Sequence, residues 1–366
     1  MRILGVGSGS IPVSYACAVT AALGHEVTAL IFENTEPVTV GPVVNGEPVA
    51  VLHTSAGVRR TVLERRRRTE IETLLSDRSA SSSSSRFAEI SRADVVVSDD
   101  EGISLAAREG GFSVVCVTPF GIGSPKSRWR LTGPSLFHMG GLGIVTPRAA
   151  YHGESQSGPP QAPFGSPLEY LVGLYAAFAM LASKRAVQKT FADISMLDCL
   201  LPLTRRETAA WQFDHYRATR KERLWKVGPS GFYACADGYF YLHVVEDRQW
   251  QKLCSSIGAE QLLVDTRFAT ALSRFENERV IDDVLIPWAS DLTRETIFEI
   301  LGSAGIPCGP VLTAIEARRL SERIDARLKW DARAPWVTPL PIRMVGGSLR
   351  WLGAVWDDES QVRVDQ

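Results

Sequence analysis

Short apolar runs alternate with segments of helical spacing through the first third of the chain. The predicted elements are, in chain order, strand 2–6, helix 13–23, strand 27–32, strand 93–97, helix 102–109 and strand 112–117. Strands that are joined by helices in this way usually form a parallel sheet with helices on its faces. The pattern therefore predicts an α/β fold with a doubly wound parallel sheet.

The middle of the chain shows other patterns. Residues 59–76 have helical spacing, and residues 167–184 form a clear apolar helix. Between them, residues 119–165 contain many of the glycines and prolines, and loops of this kind often hold ligands. For residues 191–197 the pattern fits a strand and a helix equally well.

The character of the sequence changes near residue 226. Residues 231–245 alternate around an Ala-Asp-Gly turn at 236–238, which predicts a β-hairpin. Amphipathic helices are predicted at 247–258 and 292–304, and the group indicates a separate small α+β domain. The predicted organisation is a large domain at 1–190, a linker at 191–225, the small domain at 226–305 and a return to the large domain at 306–366.

The charges are balanced. The chain has 40 Lys and Arg residues against 41 Asp and Glu residues, a formal net charge of -1. This balance gives no reason to expect a nucleic-acid partner or a membrane surface. The longest apolar run, residues 170–182, is also shorter than the ~20 residues that a bilayer span needs.

The six cysteines are scattered through apolar segments and form no CxxC pair. That distribution favours reduced, mostly buried thiols over a disulfide framework or a zinc site. The N-terminal segment begins directly on a strand-like run without the pattern of a signal peptide. A cytoplasmic location and the absence of a bound metal are therefore expected.

Several motifs follow one another along the chain. They are 167–177 (PLEYLVGLYAA), 192–198 (ADISMLD), 231–239 (GFYACADGY), 265–270 (DTRFAT) and 304–311 (AGIPCGPV). In their order and separation they resemble the motifs of the class III CoA-transferase family. Residues 23–27 (LGHEV), 93–97 (ADVVV) and 120–125 (FGIGSP) resemble three further landmarks of that family.

The resemblance covers essentially the whole chain and implies a particular architecture. It implies a large Rossmann-like domain built from both chain ends, a small domain inserted late, and two subunits that interlock as a homodimer. It also implies acyl-CoA and a carboxylic acid as small-molecule substrates.

Glu169 stands where the resemblance implies a catalytic aspartate. A carboxylate there attacks the acyl-CoA thioester, and CoA is then carried on the side chain before it passes to the acceptor acid. A helix start after a Gly/Pro-rich loop provides free N–H groups and a positive dipole end for this chemistry. The same pattern, Pro167 followed by an acid, is also ordinary helix-start chemistry, so a purely structural role for Glu169 stays open.

Residues that could contact CoA or the acyl group are more dispersed. The candidates are Gly121, Arg59, Arg60, Lys126, His138, Gly140, Gly141 and Tyr170. In place of an arginine-containing loop of the family, the chain has the acids Asp99, Asp100 and Glu101, which would repel CoA phosphates.

Three other functions are alternatives to CoA transfer. A repurposed family member would bind an acyl thioester or a carrier-linked substrate without transferring CoA, as the Asp-to-Glu change and the acids at 99–101 suggest. An acyl-CoA racemase would need a His-Asp pair where this chain has Thr132 and Gly133. The turn Gly7-Ser8-Gly9 after the first strand is a partial dinucleotide fingerprint and suggests an NAD-dependent oxidoreductase.

Overall fold

A computed structural model describes residues 1–33, 43–44, 47–48, 57–77, 79, 87–127, 129–146, 159–163, 165–220 and 227–324. Most of the serine-rich segment 79–85 (SASSSSS) lies outside these ranges, as does the stretch from residue 335 onward, for which the sequence predicts short strands. The chain divides into two compact units. The first contains Met1–Leu142 and Ala162–Arg205, and the second contains Gly143–Gln161 and Arg206–Arg323.

The first unit is built on a parallel sheet. Its elements are β1 (Arg2–Gly7), α1 (Ile11–Ala22), β2 (Glu26–Phe32), β3 (Val43–Val44), β4 (Glu47–Pro48), β5 (Arg59–Leu63), α2 (Arg68–Ser76), α3 (Ala88–Arg92), β6 (Val95–Ser98), α4 (Glu101–Glu109), β7 (Ser113–Thr118), α5 (Gly133–Met139), α6 (Pro167–Arg185) and β8 (Phe191–Ser195). Six of the strands form one sheet in the order β5-β2-β1-β6-β7-β8, and every pair in it is parallel.

Apolar side chains cover both faces of this sheet. On one face, Val95 and Val97 of β6 pack in a cluster with residues of α1 and α6. On the other face, Val96 packs in a cluster with residues of α2 and α4. Alternate residues of a strand point to opposite faces of the sheet. A strand that is covered on both faces therefore needs apolar residues at successive positions, which explains the near-continuous valine runs. The predicted α/β fold with helices on both faces of a parallel sheet is confirmed.

One predicted helix is partly wrong. Residues 59–63 of the segment 59–76 form strand β5, which pairs with β2 from Thr28↔Arg59 to Phe32↔Leu63. The α-helix α2 begins only at Arg68. Thr61 and Val62 are β-branched and favour extended backbone, and pairing with β2 provides the hydrogen bonds that helical spacing cannot reveal.

The undecided segment 191–197 contains strand β8, which extends the sheet beside β7. It lies within the stretch predicted as a linker. The stretch predicted to return to the large domain begins with β11, which pairs with the small-domain hairpin. The domain boundaries given above stay a prediction.

The second unit is smaller and has an antiparallel sheet. Its elements after α7 (Arg205–Asp214) are β9 (Ser230–Cys235), β10 (Gly238–His243), α8 (Asp247–Ser256), α9 (Ala271–Glu276), α10 (Glu278–Ser290), α11 (Arg294–Ser303), β11 (Cys308–Pro310) and α12 (Ala314–Ile324). The sheet order is β11-β10-β9, and β9 and β10 form the predicted hairpin. Trp250, Phe240 and Phe268 belong to one apolar core under this sheet.

Within the described part of the chain, no helix has both the length and the apolar character required to cross a bilayer. All six cysteines are free thiols, and four of them are buried.

Candidate functional site

Glu169 lies in the first turn of α6, which connects the neighbouring parallel strands β7 and β8. A helix in such a connection runs antiparallel to its strands, so it begins at the carboxyl end of the sheet. Ligands of open α/β sheets bind at that end. The predicted nucleophile therefore lies where this architecture places its sites.

The backbone before α6 is unusual. Gly165 has a φ of 85° and Ser166, the N-cap residue, has a φ of 54°. A serine in the left-handed region is strained, and such strain is common at functional sites. The Ser166 side chain makes no capping hydrogen bond. The first turn of α6 therefore has no side-chain cap from Ser166, Pro167 has no N–H, and the N–H of Glu169 interacts with its own carboxyl group.

The Glu169 carboxyl group lies against Gly133, the first residue of α5. A Cβ atom built on Gly133 would overlap the carboxyl group, at 2.5 Å from Oε2 and closer still to the other two carboxyl atoms. Gly133 is buried and Glu169 is partly buried. Burial raises the pKa of Glu169, and its own backbone N–H opposes this only in part. No cation pairs with Glu169 among the residues that the structure describes.

Helix α6 is held close to α1 at the same end. A Cβ atom on Gly173 would lie 2.9 Å from the Pro12 carbonyl oxygen, so only glycine permits this approach. The ring of Tyr170 stands edge-on to that of Tyr15, with 4.8 Å between the ring centroids. Burial, followed by the proximity of Tyr15 and Glu169, raises the pKa of the Tyr170 phenol. Tyr170 thus fixes the helix start against α1.

The loop after β7 carries two other candidates. Gly121 has a φ of 79°, and the next N–H, from Ile122, donates a 2.8 Å hydrogen bond to Oδ2 of Asp193. The ammonium group of Lys126 is 4.8 Å from the Trp129 ring centroid and 5.9 Å from that of Phe120. The loop is therefore anchored on β8 and presents a cation at the carboxyl end of the sheet.

His138, Gly140 and Gly141 lie at the far end of α5 from Gly133. His138 is five residues further along the helix, a rise of about 7.5 Å. Its ring is exposed and stands edge-on to Phe137 at 5.5 Å. Gly140 packs closely against Leu200, and Gly141 takes the left-handed conformation that ends a helix. The structure therefore gives both glycines a local packing role.

Arg59 and Arg60 are not brought to Glu169. They begin β5 at one edge of the sheet, whereas α6 packs over β6, β7 and β8 toward the other edge. β5 is three strand positions from β6, about 14 Å across the sheet.

The β1–α1 turn contacts an acid from the chain itself. The N–H and hydroxyl of Ser8 donate to Asp99 at 2.9 and 2.6 Å, and the N–H of Ser10 donates at 3.3 Å. A Cβ atom on Gly7 would overlap the Asp99 carboxylate. These are the donors that a dinucleotide fold offers to a pyrophosphate. Because Asp99 occupies them, the structure argues against the dinucleotide interpretation.

Asp100 also has partners. Its carboxylate accepts hydrogen bonds of 3.1 and 2.8 Å from the Arg68 guanidinium and caps α4 at the N–H of Ile103. Burial would raise the pKa of Asp100, but Arg68 and the N–H donors outweigh it and hold the pKa below its usual range. The charge of Asp100 is therefore paired with Arg68, whereas Asp99 accepts hydrogen bonds from the neutral donors of Ser8 and Ser10.

Two residues of this region carried no clear signal in the sequence. Asp193 belongs to a quoted motif, but its hydrogen bond to the 120–125 loop depends on the pairing of β7 with β8. Gly133 contacts Glu169 across 36 positions of the chain, and no local pattern reports such a contact. Among the described residues, no group of His, Cys, Asp and Glu side chains has the arrangement of a metal site.

Comparisons with known proteins agree with this architecture. Residues 105–353 match the sequence profile of CoA-transferase family III. Over 145 residues the chain is 29% identical to succinyl-CoA–D-citramalate CoA-transferase of Chloroflexus aurantiacus, covering 39% of this chain and 36% of that protein. Over 195 residues it is 26% identical to acetyl-CoA:oxalate CoA-transferase of Acetobacter aceti, covering 52% and 50%.

These alignments span half or less of each relative's own length. The crystal structure of a CAIB/BAIF family protein from Brucella suis has the same fold, with a TM-score of 0.73 at 20% identity over 94% of this chain and 92% of that one. The profile match extends over more than half of the sequence. The chain belongs to CoA-transferase family III.

Proposed function

We propose that this protein transfers CoA from an acyl-CoA to a carboxylic acid, with Glu169 as the nucleophile. The observation that carries the proposal is the Glu169 carboxyl group itself. It is partly buried, it has no cationic partner among the described residues, and it lies at a helix start at the carboxyl end of the sheet.

The proposed reaction keeps CoA on the enzyme between donor and acceptor. A Glu169 oxygen attacks the thioester carbonyl, the C–S bond breaks, and CoA thiolate leaves an acyl-glutamyl anhydride. The thiolate attacks Cδ of Glu169 and expels the donor acid as its carboxylate. The acceptor carboxylate then attacks Cδ, thiolate leaves again, and its attack on the acceptor carbonyl yields the new acyl-CoA and the free Glu169 carboxylate.

The surroundings of Glu169 suit each step. A partly desolvated carboxylate without a cationic partner is a stronger nucleophile than a solvated or paired one. The N–H groups and the dipole at the start of α6 favour the negative charge that develops on the attacked carbonyl oxygen. The chemistry needs no metal ion.

Among the CoA-binding candidates, we assign contact with acyl-CoA to Gly121, Lys126 and Tyr170. These residues lie at the carboxyl end of the sheet, as Glu169 does. Lys126 supplies the charge for a phosphate or a carboxylate. Arg59 and Arg60 lie in the outermost strand and are left out of this assignment.

The proposal also covers the location, the oligomeric state and the partners of the enzyme. It acts on small molecules in the cytoplasm, as a homodimer, and it has no nucleic-acid or membrane partner. The names of the curated relatives suggest acetyl-CoA and succinyl-CoA as donors, with oxalate and citramalate as acceptors for a first assay.

The test compares Glu169→Gln with the native enzyme, using Glu109→Gln as a matched control on an exposed glutamate of α4. Each protein is given a donor and an acceptor, and new acyl-CoA is measured by chromatography. Glu169→Gln should lose on the order of 10⁴-fold or more in rate, whereas Glu109→Gln should not change it.

A second measurement reads the intermediate directly. Acyl-CoA and hydroxylamine together should convert Glu169 to its hydroxamate, detected by peptide mass spectrometry. Transfer by Glu169→Gln at the native rate would exclude this mechanism. Tight acyl-CoA binding without transfer or labelling, across the whole set of donors and acceptors, would instead identify a repurposed member of the family.

A further inference from the structure

Gly133 is a glycine that the backbone does not require. It is the first residue of α5 and, unlike Gly121 or Gly141, it does not have a positive φ. A side chain at this position is therefore compatible with the local conformation. What excludes a side chain is the Glu169 carboxyl group, which already fills the space where a Cβ atom would lie.

The contact is specific to the end of the Glu169 side chain. The three atoms nearest to a Cβ atom on Gly133 are Oε1, Cδ and Oε2 of Glu169. All three would lie within 3.0 Å of it, closer than Cβ atoms in proteins approach other heavy atoms. Gly133 is buried. The missing side chain thus forms a notch, and the reactive group of Glu169 lies in it.

We infer that Gly133 is the positioning residue that allows a glutamate to act at position 169. A glutamate carries its carboxyl group one methylene further than an aspartate, and the notch at Gly133 receives that extra length. The catalytic part of this inference rests on the proposed function. The steric part, that Gly133 sets where the Glu169 carboxyl group lies, does not.

The inference predicts a catalytic defect without a comparable folding defect. In Gly133→Ala the carboxyl group must move, and because it ends a flexible side chain it can move without unfolding α6. A displacement of about 1 Å at a reacting group costs on the order of 10²-fold in rate. The loss should fall mainly on kcat, because the residues assigned to acyl-CoA binding are unchanged.

The decisive experiment is a double-mutant cycle with Glu169→Asp. The shorter aspartate leaves the notch, so Gly133→Ala should cost about 10²-fold in the native background and little in the Glu169→Asp background. An equal loss in both backgrounds would mean that alanine damages α5 itself, and it would overturn the inference. Gly302→Ala in α11 is the control, because a Cβ atom there has nothing within 4 Å.

A readout that does not depend on turnover separates this inference from the proposed function. Carboxyl ¹³C NMR of glutamate-labelled protein, assigned with Glu169→Gln, follows the titration of Glu169. Gly133→Ala should push the carboxyl group out of the notch and lower its pKa toward the ordinary value. An unchanged titration would overturn the steric inference, even if the enzyme transfers CoA. An altered titration in a protein without transferase activity would sustain it and reject the proposed function.

Discussion

At the residue scale, the half-buried Glu169 carboxylate lowers the stability of the native protein at neutral pH. Burial raises the pKa of Glu169 above its ordinary value. A group with a raised pKa in the folded state contributes stability below its unfolded pKa, and this contribution is lost as the pH rises through the folded pKa. An ionised Glu169 at neutral pH therefore reduces the stability of the folded protein.

The substitution Glu169→Gln tests this directly. Because glutamine removes the buried charge and nearly preserves the volume, the variant should unfold at a higher temperature than the native protein at pH 7. The difference should shrink as the pH falls through the raised pKa. Melting curves between pH 4 and 8 measure it. A variant that is less stable at neutral pH would mean that the Glu169 carboxylate has a stabilising partner.

Asp99 shows how two residue-scale features of the sequence become one contact. The sequence offered a partial Gly-x-Gly fingerprint after β1 and, ninety positions later, a group of acids. In the structure the Ser8 N–H and hydroxyl donate to the Asp99 carboxylate, so the acid takes the place of an external anion. The first pattern suggests a dinucleotide site, and the second suggests repulsion of the CoA phosphates. Their contact requires the pairing of β1 with β6, which local sequence does not report.

At the scale of elements, Arg274 joins three parts of the second unit. It is fully buried on α9, and its guanidinium donates to the carbonyl oxygens of Gly228 at 3.3 Å and Phe268 at 3.2 Å. It also donates to Asp247 at 2.8 Å and lies 5.5 Å from the ring centroid of Trp250. One side chain therefore connects the start of β9, the turn before α9 and the helix α8.

Replacing Arg274 with methionine should destabilise the second unit. The two buried carbonyl groups would lose their donors, at a cost of about 1–3 kcal/mol for each unsatisfied group. Urea unfolding followed by tryptophan fluorescence measures the loss. Arg279→Met, on the exposed face of α10, is the matched control and should stay within about 0.5 kcal/mol of the native protein. Equal stability of the two variants would exclude a structural role for Arg274.

The sequence predicts well those elements whose pattern of apolar residues alone indicates a strand or a helix. The valine runs of β6 and β7 and the long apolar helix α6 were found because they are buried along their whole length or along one face. The pattern wrongly predicts a helix over β5, because the hydrogen bonds of this strand come from β2 and its own residues are mostly exposed. Glu169 was found by resemblance, whereas its notch at Gly133 depends on how α5 meets α6.

At the scale of the whole molecule, different observations support the fold and the activity. The structural neighbour covers 94% of this chain, but at 20% identity it speaks for the fold alone. The curated CoA-transferases match half or less of their own length. Family membership follows from the profile match. The reaction depends on the chemistry at Glu169, which the variants above examine.

The proposed homodimer is the last expectation at this scale. Helix α6 buries one face against the sheet and α1, yet Leu174, Tyr175 and Phe178 on it are 46%, 40% and 72% exposed. Aromatic and aliphatic side chains exposed together on one helix are typical of a surface that a partner covers. Sedimentation should therefore give twice the 40.1 kDa mass of the chain.

Phe178→Glu should weaken that dimer at least about tenfold, as loss of a central aromatic contact does. Leu105→Glu, on α4 at the opposite face of the sheet, is the control and should leave the dimer intact. A native protein that sediments as a monomer at micromolar concentration would contradict the homodimer. If transferase activity falls in parallel with dissociation of Phe178→Glu, the site needs both subunits. If the monomer is fully active, Glu169 and Gly133 act within one chain.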